Sequence, residues 1–126
     1  MAPPVPSNTE LEILHVLWNR GPSTVRQVHD VMRKDRDVGY TTVLKIMQVM
    51  ASKKLVKRDE SDRSHIYAPA VEEKSVKRRL VADLLDRAFE GSAAGLVMHA
   101  LSGSKSSRKE LDEIRRLLDE HERGKQ

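Results

Sequence analysis

Apolar residues recur at helical spacing three times before any strand-like stretch appears. Leu11, Leu14, Leu17 and Trp18 form the first stripe, with Asn8 or Thr9 placed to cap it and Gly21-Pro22 to end it. Ser23 or Thr24 caps a second helix, whose Val25, Val28, Val31 and Met32 share one face. Residues 34–39 are charged, end in glycine and read as a turn. A third helix is predicted from Tyr40 or Thr41 to Lys53. Its apolar stripe is Val43, Ile46, Met47 and Met50, and its polar stripe is Thr41, Lys45, Gln48 and Ser52. Two opposite faces on one helix mean that one packs on the domain while the other meets water or a partner.

The period then shortens. Residues 55–58 and 65–68, the latter closed by Pro69, are strand-like and flank the polar turn 59–64, which predicts a hairpin with a charged tip. Val76, Leu80, Leu84 and Ala88 mark a helix over 72–89, which Gly91 breaks. A short apolar helix over 93–101 and a flexible Ser/Gly-rich linker over 102–106 follow. Ser107-Arg108-Lys109-Glu110 is a capping box that starts a last helix with Leu111, Ile114, Leu117 and Leu118 on one face, fraying from Glu120. There is no internal repeat.

Three helices and a hairpin are the element order of a winged helix-turn-helix domain. The expected fold is mostly α with a small β-hairpin wing: a Pro-rich disordered segment over 1–8, a winged-helix domain over 9–70, and a helical dimerisation region over 71–126. The tail stripes (Val76, Leu80, Leu84, Leu96, Val97, Leu111, Ile114, Leu117, Leu118) need a partner surface. Either a second copy supplies it, or the tail packs back on its own chain; the few residues available for a core favour the second copy.

Charge sharpens this picture. The net charge is +4, but five basic residues and no acidic one lie between Val38 and Arg58, whereas the chain from Val71 onward carries twelve basic and eleven acidic residues. The segment 38–58, which holds the third helix, is thus the cationic one, as a nucleic-acid surface requires. There are no cysteines, which excludes disulfides, thiolate metal sites and thiol catalysis. His15, His29, His65, His99 and His121 are scattered without metal-ligand spacing. No nucleophile, base and orienter form a recognisable set, so no enzyme, metal or cofactor is expected. No run approaches the roughly 18 apolar residues that span a membrane. The start, MAPPVPSNTE, has neither a basic n-region nor an apolar h-region, so the expected location is the cytoplasm.

A helix fits the major groove of DNA, where base edges are read by hydrogen bonds. On the outward face Gln48 suits adenine and Lys45 suits guanine, with Thr41, Thr42 and Leu44 beside them. Leu44 either meets a thymine methyl or is half-buried. Backbone contacts are expected from Ser23, Thr24 and Arg26 at the second helix, from Tyr40, Ser52 and Lys53 at the ends of the third, which Lys54, Lys57 and Arg58 help to close with positive charge, and from Arg63 and His65 of the wing. The alternative is a winged-helix protein–protein interaction module, whose acid-free third helix would meet an acidic partner.

The run Leu11-Glu12-Ile13-Leu14, Leu17-Trp18, Gly21-Pro22-Ser23-Thr24-Val25, Tyr40-Thr41-Thr42-Val43, Leu55-Val56 and Tyr67 resembles the penicillinase-repressor family (BlaI/MecI type). Phe89-Glu90-Gly91-Ser92, Leu96-Val97 and Leu111-Leu117-Leu118 are similar to its C-terminal dimerisation region, so the likeness covers about 9–122. It implies a homodimer that represses transcription from a palindromic double-stranded DNA operator. It also implies a protease of a membrane sensor pathway that cleaves the C-terminal region, near His99 and Ala100 where the family has Asn-Phe. Three further departures matter. Leu44 stands at a position that is often basic and Lys45 where Thr is usual, so a β-lactamase target does not follow. Lys54 stands where the family has Gly after the third helix, at a cost of about 1 kcal/mol if the left-handed cap is kept. The paired cysteines that end the copper-responsive branch are absent, so copper sensing through thiolates is not expected.

Overall fold

The computed structural model describes residues 5–103 and 105–124. The chain divides into two compact units, 1–81 and 82–126, each described separately below. The division falls inside the fourth helix.

The first unit opens with α1 (Asn8–Arg20), α2 (Val25–Met32) and α3 (Tyr40–Ser52), followed by the antiparallel hairpin β1 (Val56–Asp59) and β2 (Ile66–Pro69). Ser7, one residue before the expected cap, starts α1: its hydroxyl accepts from the Glu10 N–H at 3.2 Å, and the Glu10 carboxylate accepts from the Ser7 N–H at 2.8 Å. Residue 8 is therefore already helical; Met1–Pro4 of the expected disordered segment lie outside the described residues. Thr24, not Ser23, caps α2, in the same reciprocal arrangement with Gln27. α3 has Gly39 at its N-cap and no side-chain cap.

The core follows from the stripes. Ile13, Leu14 and Leu17 of α1, Val25, Val28 and Met32 of α2, and Val43, Met47 and Met50 of α3 pack with Leu55, Val56 and Tyr67 as one buried cluster. Each such side chain contributes roughly 1.5–3 kcal/mol by leaving water. The only tryptophan covers an edge, donating from Nε1 to the Val71 carbonyl at 3.2 Å.

α3 ends in a Schellman turn: the Lys54 N–H donates to the Ala51 carbonyl at 3.1 Å and the Leu55 N–H to that of Met50 at 2.9 Å. Lys54 has φ +65°, so a lysine does hold the left-handed position. Arg58 stands opposite Tyr67 in the hairpin, and a one-residue bridge extends the sheet to the loop before α2. There Ser23 N–H donates to Tyr67 O at 2.9 Å and Tyr67 N–H to Ser23 O at 2.8 Å.

α4 (Glu73–Ala88) crosses the division, and α5 (Ala93–Ser102) and α6 (Arg108–Gly124) belong to the second unit. Ser92 caps α5, and Ser107 Oγ accepts from the Glu110 N–H at the start of α6. α6 stays helical to Gly124, beyond the expected fraying point. Its polar side is laced by Arg115–Asp112, Arg116–Glu113 and Arg116–Glu120 ion pairs at helical spacing. Neither α5 nor α6 has a buried residue; Met98 and Leu118 are each 61% exposed.

Candidate nucleic-acid interface

The buried stripe of α3 fixes the opposite edge outward. With Val43, Met47 and Met50 in the core, Thr41, Thr42, Lys45, Gln48 and Ser52 are exposed. Leu44 is partly buried against the core, which supports the half-buried reading, although its edge still lines the adjoining groove.

That groove, of about 370 Å³, runs between the start of α2, the outer edge of α3 and the wing. Thr24, Arg26, Tyr40, Gln48, Arg63 and His65 all line it, so residues read from separate motifs meet there. Arg58 and Ser64 join them, and among the described residues no carboxylate lines the groove. Arg26 lies over the Tyr40 ring, 5.5 Å from its centroid, and the His29 ring meets Tyr40 edge-on at 6.0 Å. His29 Nε2 is 2.7 Å from the Val38 carbonyl. The Tyr40 ring thus holds a cation at the mouth of α3. Among the described residues Arg26, Lys45 and Arg63 make no ion pair, and no acid stands in the first turn of α3.

Two expected backbone contacts have other work. Ser23 is fully buried; its hydroxyl donates to the Gly21 carbonyl at 2.8 Å, and its backbone belongs to the bridge with Tyr67. Its side chain is therefore not available to a phosphate. Lys53 Nζ is 2.9 Å from Glu10 Oε2, tying the end of α3 to the start of α1. Burial pushes the Glu10 carboxyl upward, but the Ser7 N–H and the Lys53 ammonium outweigh it and hold the carboxyl below the usual carboxylate range. Ser52 keeps an exposed hydroxyl, donating to the Gln48 carbonyl at 3.3 Å.

Arg58, one of the cations expected to close the third helix, has two partners of its own. Its guanidinium lies against the Tyr67 hydroxyl and pairs with Glu60 at 2.5 Å, and these contacts raise its pKa above the ordinary arginine value. The two-residue step from buried Val56 puts Arg58 on the same side of the strand.

In the tail, Val76 is only 7% exposed in the single chain, so it offers little to a partner, unlike Leu84, Val97, Leu117 and Leu118. Leu80, Leu96, Leu111 and Ile114 are partly buried. His99 leans on Phe89 with ring centroids 5.6 Å apart, and the His99–Ala100 peptide lies inside α5. Among the described residues no cluster of acids and histidines is placed to hold a metal ion, and no helix is long and apolar enough to cross a membrane.

A family model described as penicillinase repressor matches residues 6–120. The chain is similar to the transcriptional regulator BlaI of Mycobacterium tuberculosis, at 37% identity over 117 residues, covering 91% of this chain and 83% of that protein. It is similar also to the penicillinase repressor of Bacillus licheniformis, 22% identical over 119 residues, with 94% and 93% covered. The methicillin resistance regulatory protein MecI of Staphylococcus aureus is 19% identical over 113 residues, with 90% and 92% covered. With nearly its whole length matched and its three helices and hairpin in the predicted order, this chain belongs to the penicillinase repressor family.

Proposed function

We propose that the protein is a cytoplasmic transcriptional repressor that binds a palindromic DNA operator as a homodimer. The observation that carries this reading is the cationic, carboxylate-free groove beside the exposed polar edge of α3, in a member of a repressor family rather than of an enzyme family. α3 enters the major groove, where Thr41, Thr42, Lys45 and Gln48 face base edges and Leu44 forms the wall behind them. Thr24, Arg26, Tyr40, Ser52, Arg63 and His65 address the phosphates, which position the domain without reading sequence.

The dimer is supported by the second unit, where no residue of α5 or α6 is fully buried in one chain and Val97, Met98, Leu117 and Leu118 stay exposed. The half-sites are then spaced by about one helical turn of DNA or a multiple of it. Relief of repression by a protease of a sensor pathway, cutting near His99 and Ala100, requires α5 to open locally, because a helical peptide bond does not fit an extended substrate cleft.

Fluorescence anisotropy with duplexes from the DNA upstream of the coding region, against a scrambled duplex and across a salt series, tests the reading. Two chains bound per palindromic segment, at salt that strips the scramble, is the expected result. Equal, weak binding to both duplexes would reject specific DNA recognition and leave α3 as the surface for an acidic protein partner.

A further inference from the structure

We propose that Arg58 is a phosphate-contacting residue of the wing and that Glu60 is its internal competitor, a carboxylate that each incoming duplex displaces. The inference rests on the DNA-binding reading above. Arg58 Nη2 lies 2.5 Å from Glu60 Oε1, with the two side chains 35% and 53% exposed. Arg58 lines the same groove as Arg26 and Arg63, whereas Glu60 does not line it. The strand beneath Arg58 is fixed: its partner in the register, Tyr67, is fully buried and bridged to Ser23. The turn is shaped as well, because the Asp59 carboxylate accepts from both the N–H and the hydroxyl of Ser61, at 2.9 and 2.6 Å. The loop thereby holds Glu60 beside Arg58.

A carboxylate and a phosphate satisfy the same guanidinium fork. An exposed ion pair is weak, worth a factor of about two to five in an equilibrium constant. DNA therefore displaces Glu60 readily, but every complex gives up that factor. Because the contact is to phosphate, the loss is the same on every sequence. Lys53 differs: its partner Glu10 is buried and also caps α1, so that pair stays closed.

Affinity and its salt dependence are measured for wild type, Glu60→Gln, Arg58→Gln, Arg58→Lys, the Glu60→Gln/Arg58→Gln double variant and Asp62→Asn. Upstream and scrambled duplexes serve as probes, and thermal melts check folding. Glu60→Gln is expected to tighten both duplexes about two- to fivefold with discrimination unchanged. Arg58→Gln weakens both and flattens the slope of log K against log salt by about 0.9, the share of one phosphate contact. Arg58→Lys keeps that slope, and the double variant behaves as Arg58→Gln. Asp62, which makes no ion pair among the described residues, gives the smaller gain. A Glu60→Gln gain that survives in the Arg58→Gln background, or that Asp62→Asn matches, overturns the proposal as a general charge effect. Wild-type binding with no Glu60→Gln gain overturns this inference alone; no wild-type binding to either duplex overturns the DNA reading itself.

Discussion

Replacing Lys54 by glycine should stabilise the protein. Lys54 holds φ +65° at the end of α3, where the Schellman turn requires it. A residue with a Cβ loses roughly 1–2 kcal/mol in that conformation. Glycine escapes that cost but has more freedom to lose on folding, roughly 0.5–1 kcal/mol. The Lys54 ammonium makes no ion pair among the described residues, and the two backbone hydrogen bonds of the turn do not depend on the side chain. The net gain is about 0.5–1 kcal/mol. At about 4–8 °C per kcal/mol for a domain of this size, Tm rises by about 2–8 °C. Thermal and urea denaturation followed by circular dichroism measure it, with Lys54→Ala as the control that keeps the Cβ and so brings no gain. A fall in Tm for Lys54→Gly would refute the strain argument. An equal rise for Lys54→Ala would refute it too, by tracing the effect to charge among Lys53, Lys54 and Lys57.

Lys45→Ala and Gln48→Ala should each narrow the preference for the operator over a mutated operator by about 1–3 kcal/mol, while Arg63→Ala weakens all duplexes alike. Unchanged preference in both α3 variants would remove that edge from base reading. The lowered Glu10 carboxyl adds stability that is complete above its unfolded pKa of about 4.5 and is lost as the pH falls through its lower folded value. Urea midpoints from pH 6 down to pH 3 should therefore drop more for wild type than for Glu10→Gln, and parallel curves would show that the Lys53 pair contributes nothing. Leu117→Asp with Leu118→Asp should yield monomers in sedimentation velocity with the winged-helix unit still folded; an intact dimer would place the interface elsewhere.

The helices were legible because their stripes are their burial: Val43, Met47 and Met50 both predict α3 and bury it. Both strands of the hairpin lie one residue later than their apolar runs suggested, since the ladder includes Asp59 and Pro69. What the sequence hid was pairing at a distance. Lys53 lies in an acid-free segment and reads as a free cation, yet its partner is Glu10, forty-three positions away. Ser23 reads as a surface hydroxyl because a one-residue bridge leaves no alternation to detect. Arg58 reads as a cation closing α3, but its place in the groove beside α2 and its pairing with Glu60 show only in the fold.

The bridge between Ser23 and Tyr67 has a mechanical consequence. Ser23 directly precedes the cap of α2, and Tyr67 lies in the strand that carries the wing's returning limb. Two short backbone hydrogen bonds join them, so the start of α2 and the base of the wing are one piece of scaffold rather than two adjustable arms. The span from Thr24 to the wing is then preset, and the domain works as a caliper. On the DNA-binding reading proposed above, duplexes whose backbones already match that span fit at no cost, and others must be bent or widened first. Discrimination by DNA shape follows, at base pairs that no side chain touches.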